Sequence, residues 1–186
     1  MTDAAKGNGI IVNVGPAGPR GRFIEGTISG TPKPGTCVQA KAGVAPVGNN
    51  FTYESYNKAQ DGVRGPVIVL LEDSSQGRTR DHAYEDGTHC FLYIPVMGDE
   101  LNLLVDSSMG AIDIDTPFCI DDGTGKLVAP VAPHADYATP GLDTEAEVIV
   151  AINLLKNAPQ AIPFYSRAIV ADPAADTHVR VLFGGC

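Results

Sequence analysis

What most constrains this chain is an apolar alternation with a period near two, broken at short intervals by glycine and proline. In Phe51-Thr52-Tyr53-Glu54-Ser55-Tyr56 aromatic positions are separated by polar ones. Successive side chains of a strand point to opposite faces, so this pattern makes a half-buried strand. Similar strand patterns occupy 9–14, 23–28, 36–40, 88–95, 101–105, 164–170 and 178–183. Gly65-Pro66-Val67-Ile68-Val69-Leu70-Leu71-Glu72 is instead a short continuous apolar run with β-branched residues, the mark of a strand buried on both faces. Thr31-Pro32-Lys33-Pro34-Gly35 reads as a turn, and Asp121-Asp122-Gly123-Thr124-Gly125 as a hairpin turn between 117–120 and 126–128.

With 21 Gly and 14 Pro in 186 residues, long helices are disfavoured, while an apolar share of 44% is enough for a core. The expected fold is mostly β: a β-barrel or β-sandwich-like domain with an extended N-terminal arm and at most one or two short helices. One helical turn is expected over 81–87, ending at Gly87. The segment 144–155 stays open between a helix begun by the capping box Thr144-Glu145-Ala146-Glu147 and a strand favoured by its β-branched residues. The domain reading is an arm over 1–21 and a β-rich domain over 22–186, with 131–163, which opens as a Pro-rich loop, as an insertion.

The arm is expected to be loose by itself. Its apolar cluster, Ile10, Ile11, Val12, Asn13 and Val14, is too small to offset an ordering cost of roughly 1–2 kcal/mol per residue. Against a neighbouring subunit it could add as a strand to a sheet edge. These five residues, with Arg20 and Arg22, are the candidate partner-binding residues. Gly15-Pro16-Ala17-Gly18-Pro19 imitates collagen triplets but is too short for a triple helix.

Charge and motif spacing narrow the function classes. A formal charge of -9 argues against gripping a phosphate backbone, so no nucleic acid is expected as partner. No stretch reaches the roughly 20 apolar residues of a membrane span, and the N-terminus has no apolar signal segment, so synthesis in a cytoplasm is expected. Cys37, Cys90 and Cys119, without Cys-x-x-Cys spacing, are expected as small buried hydrophobes, and Cys186 as an exposed end.

No catalytic residue, cofactor or metal is assigned. Asp113 and Asp115 in Ile112-Asp113-Ile114-Asp115 are expected on the solvent face of a strand, and no Glu closes a calcium loop after Asp121 and Asp122. His82, His89, His134 and His178 lack zinc spacing. His89 and Cys90, adjacent in a strand, point apart and cannot form a nucleophile pair. Gly125-Lys126 is followed by Leu127 rather than the Ser or Thr of a phosphate loop, and Gly26-Thr27-Ile28-Ser29-Gly30 lacks the spacing of a nucleophile elbow. Arg64, Arg78 and Arg80 read as solvated loop charges, or as contacts to an acidic partner.

The strand 66–73, the segment Ala83-Tyr84-Glu85-Asp86-Gly87, the strand 90–95, Gly98-Asp99-Glu100-Leu101, the hairpin 120–127 and the closing strands 167–172 and 179–183 form one pattern. Over roughly 64–183 it resembles the head-decoration, or cement, proteins of tailed bacteriophages, small β-rich proteins on the capsid exterior. The resemblance implies a structural virion protein that binds at capsomer junctions and stabilises the shell. Its partner would be the major capsid protein, its own state a homo-oligomer with a trimer favoured, and its location the virion surface after synthesis in the host bacterial cytoplasm. One alternative is a carbohydrate-binding, baseplate or fibre module, with Tyr53, Tyr56 and Tyr137 as candidate stacking residues. Another is a small β-rich hydrolase with converging His, Asp and Ser or Cys.

Overall fold

Most of the expected strands form, the one expected over 164–170 only as far as Ser166, and they close on one another twice. The computed structural model describes residues 10–13, 21–48, 50–57, 66–77, 79–130, 164–171, 173 and 177–184. Eleven strands lie among them: β1 (Ile11–Asn13), β2 (Arg22–Ile28), β3 (Cys37–Ala40), β4 (Phe51–Ser55), β5 (Ile68–Leu70), β6 (His89–Ile94), β7 (Glu100–Val105), β8 (Pro117–Ile120), β9 (Leu127–Val128), β10 (Phe164–Ser166) and β11 (Thr177–Phe183). The mostly-β expectation therefore holds. The only helical element among the described residues is a 3-10 turn at Ser74–Gln76.

The first circuit is a closed barrel in the order β2-β4-β3-β5-β6. All its pairings are antiparallel except β2 with β4, where Gly26, Thr27 and Ile28 face Phe51, Thr52 and Tyr53. Gly26 is needed there, because a Cβ would sit 2.5 Å from the Tyr53 ring. The interior holds Ile28, Val38, Tyr53, Ile68, Leu70, Tyr84, Cys90 and Leu92.

The second sheet runs β1-β7-β11-β10-β8-β9. β11 pairs along the whole of one edge of β7, from Glu100 to Val105. The other edge is divided: β1 takes its start, at Glu100 and Leu101, and β9 its end, at Val105. This last, parallel pairing carries the strands β7-β11-β10-β8-β9 round a second closed circuit.

One wall serves both cores. Along β5 and the residue after it, Ile68 and Leu70 point into the barrel while Val69 and Leu71 enter the second core. Cys37 of β3 and Tyr93 of β6 also face that second core, beside Leu101, Leu103, Phe118, Leu127 and Phe164. The run at 66–72 lacks alternation because both its faces are covered, as expected.

Three expectations are corrected. Residues 81–87 form turns rather than a helical turn: Tyr84 is pulled into the barrel, its hydroxyl donating to the Leu71 carbonyl at 3.0 Å. Ile112-Asp113-Ile114-Asp115 is no strand: Ile112 makes a bridge to Val170, then the chain turns, with Asp115 at a φ of 63°. Asp and Asn tolerate that left-handed region better than most residues. The segment at 10–13 is not separate from the fold. Ile10 is 2% exposed in the second core, Ile11 packs against it, and the Asn102 N–H donates to the Ile10 carbonyl at 2.7 Å. It joins a sheet edge as expected, but the edge belongs to its own chain. The questions posed at 144–155 and at the insertion 131–163 lie outside the described residues.

Candidate functional site

Polar side chains with unusual surroundings gather at the seam between the two circuits. Tyr93, wholly buried, donates its hydroxyl proton to Asp99 Oδ2 at 2.6 Å and accepts the Gly21 N–H at 3.0 Å. Asp99 is also buried, and its Oδ2 takes the Val96 N–H at 2.9 Å. Burial, then the hydrogen bond to Asp99, pushes the Tyr93 phenol up to about 12, so it stays a donor. This cluster ties the entry of β2, the end of β6 and the turn into β7 together.

Across the seam, His178 of β11 lies 2.9 Å, through Nε2, from the Pro34 carbonyl. The Gly35 carbonyl accepts the Leu104 N–H of β7, and the Gly35 N–H donates to Leu70 of β5. Burial holds the His178 imidazole below its ordinary range, partly offset by the bond to Pro34. Its neutral ring acts as a donor to a carbonyl, a structural role.

The thiols of the described residues are poor nucleophiles. Cys37, Cys90 and Cys119 are free and buried, and burial raises all three, Cys37 and Cys90 to about 12. A thiolate is the reactive form, and these remain thiols. His89 and Cys90 do point apart, His89 toward Glu25 at 3.4 Å and Cys90 into the barrel. Among the described residues no three His, Cys, Asp or Glu side chains gather as metal ligands. Asp121 instead accepts the Thr124 hydroxyl at 2.5 Å within its turn, and Asp115 pairs with Arg167 at 3.1 Å.

Of the seven candidate partner-binding residues, Ile10 and Ile11 are committed to the chain's own core, and Val12 and Asn13 lie in β1. Arg22 is exposed at the start of β2, and Val14 and Arg20 lie outside the described residues. Half-buried Arg80 comes within 3.9 Å of the exposed Asp81, while Arg64, Arg78 and His134 lie outside the described residues. Tyr53 is barrel core and Tyr56 is half-buried, which removes the first from any sugar-stacking face; Tyr137 is not among the described residues.

Sequence reasoning missed Tyr93 and His178, whose partners Gly21 and Pro34 are distant in the chain, and with Tyr93 it missed Asp99, although those two lie only six positions apart. It also missed Asp73, which caps the 3-10 turn by accepting the Ser75 and Gln76 N–H groups. The bond from the Ser75 hydroxyl leads the causes that lower its carboxyl. Here a signal existed, since Asp-Ser-Ser-Gln is a capping pattern.

The outside carries large apolar groups. Val44 and Val47 lie in the β3–β4 connection and Phe51 opens β4, Phe23 lies on β2, Met97 sits in the β6–β7 turn, and Ile114 and Ile169 lie in the chain beside the Ile112–Val170 bridge, outside the strands. Compared with known proteins, the chain matches no family model and no curated protein.

Proposed function

We propose that the protein is a non-enzymatic structural protein that binds the exterior of a tailed-phage capsid and stabilises the shell at capsomer junctions. Its partner in this reading is the major capsid protein, and it works as a homo-oligomer, a trimer favoured. The observation that supports this best is the pairing of a two-circuit β body with several large apolar side chains left outside it. Exposed apolar groups of this kind mark surfaces that meet other proteins. A body whose strands are closed has few free edges, so it can present such groups on a fixed frame without edge-to-edge aggregation. Several weak contacts to neighbouring capsomers then add through avidity.

Co-sedimentation tests the reading. Purified protein is mixed with empty shells assembled from the major capsid protein encoded beside its gene, and the pellet is assayed. Saturable co-sedimentation, together with shells that resist a higher temperature, is expected. Protein left wholly in the supernatant would overturn the proposal.

A further inference from the structure

We infer that the loop joining β3 to β4 is the docking element of this protein, a preformed apolar knob that seats in an uncharged apolar depression on the outer face of the shell protein. The inference rests on the capsid-binding reading and specifies the surface that performs it.

Residues 42–48 read Ala-Gly-Val-Ala-Pro-Val-Gly. All seven are exposed, the longest exposed run among the described residues, and Val47 is 84% exposed. The run holds no polar or charged side chain, in a chain that is 19% charged. Water exposure of two valines, two alanines and a proline in succession gains nothing for the free protein. Two of the other exposed apolar groups have local reasons. Phe23 lies 5.0 Å from the Tyr93 ring and covers it, and Met97 rests against Gly184.

The loop is also held in one shape. Val47 and Asn50 exchange backbone hydrogen bonds at 3.1 and 3.2 Å, and the Lys41 N–H donates to the Thr52 carbonyl at 2.8 Å. Gly43 and Gly48 have φ values of 71° and 65°, a region costly for other residues. Pro46 removes a further backbone freedom. A knob that is ordered before binding loses little entropy on docking, so its burial appears as affinity.

Charge decides the kind of partner. At -9 the molecule is repelled by anionic lipid headgroups, and membrane-seated loops flank their apolar tip with basic and Trp residues. This loop has Lys41 on one side, whose ammonium is held 2.8 Å from Ser29 Oγ, and the chain has no Trp. An uncharged knob on an acidic body suits an apolar, uncharged protein recess, where no ion pair must be desolvated.

The test is co-sedimentation of Val47→Asp and Val44→Asp with the same empty shells, beside Ile169→Asp as a control whose exposure lies between theirs. Both loop variants are solvent-facing, so their melting should match the parent. Loss of roughly tenfold or more in shell affinity for the loop variants, with Ile169→Asp near the parent, is expected. If the parent binds and all three variants bind equally, the loop inference falls and the capsid reading stands. If the parent does not bind shells at all, both fall. Loop-dependent binding to phosphatidylglycerol vesicles, or loop-dependent self-association by size-exclusion chromatography with light scattering, in place of shell binding would also overturn it.

Discussion

At the scale of single residues, the seam is held by groups whose protonation and hydrogen bonding can be tested directly. Tyr93→Phe removes the proton that Asp99 accepts at 2.6 Å and the oxygen that takes the Gly21 N–H. The ring still fills its place, but a buried carboxylate loses a donor and a backbone N–H loses its acceptor. A loss of about 1–3 kcal/mol in urea denaturation is expected; an unchanged midpoint would show that water replaces both bonds. His178 makes the seam sensitive to acid. Its folded value lies below the ordinary 6.5, chiefly through burial, with Arg80 and Lys33 lowering it further and Pro34 and Asp81 opposing. Below about 6.5 the unfolded chain therefore binds the proton more readily than the folded one. His178's contribution is whole above that pH and falls as pH drops from about 6.5 toward the folded value, where the decline levels off. His178→Gln keeps an N–H donor without a titrating ring. The difference in urea midpoint between the parent and this variant should shift between about pH 7 and about pH 5, and a constant difference would remove His178 from the acid response.

At the scale of elements, the strand β1 decides how the N-terminal segment is understood. Ile10 is enclosed by the second core, and the cost of Ile10→Ala should be about 2–5 kcal/mol. A chain starting at Arg22 should likewise melt well below the full chain. Equal melting would return the segment to the role of a detachable arm. What made the strands legible was local: alternation at 51–55, an unbroken apolar run at 68–70, and Asp-Gly turn chemistry between β8 and β9. These signals report which faces of a strand are covered, and the covered faces are where the sequence pattern is strictest. Closure was not legible. The parallel pairings β2 with β4 and β7 with β9 join strands that are not consecutive in the chain, and no local spacing encodes such a choice. The same distance hid the seam, since Tyr93 reaches Gly21 across 72 positions and His178 reaches Pro34 across 144. The Ile-Asp-Ile-Asp alternation misled for the opposite reason. Its period is that of a strand, yet the chain leaves the ladder at Ile112 and rejoins it near Thr116, where the Ser166 N–H donates to the Thr116 carbonyl.

At the scale of the whole molecule, the shared wall determines whether two circuits are two folding units or one. Separate domains meet through modest, polar surfaces and unfold apart. Here β5 sends Ile68 and Leu70 into one core and Val69 and Leu71 into the other, so neither core can be exposed without moving the same strand. Backbone bonds cross the wall as well: Gly125 accepts from Cys37, and Tyr56 accepts from Gly123. A cavity on either side should therefore weaken both. Leu92→Ala opens the barrel interior and Phe118→Ala the second core, each at a cost of roughly 2–5 kcal/mol. Each variant should keep a single calorimetric transition at a lower temperature, with van't Hoff and calorimetric enthalpies in agreement. The buried thiols supply an independent readout that distinguishes the two cores. Cys90 reports the barrel interior and Cys119 the β8–β9 hairpin, and in a Cys186→Ser background each should react with iodoacetamide only as the molecule unfolds. If the shared wall couples the circuits, both cysteines become reactive over the same range of urea in both variants. Early labelling of Cys90 alone in Leu92→Ala, or of Cys119 alone in Phe118→Ala, would show instead that the circuits open independently and that the wall between them remains standing when one side is lost.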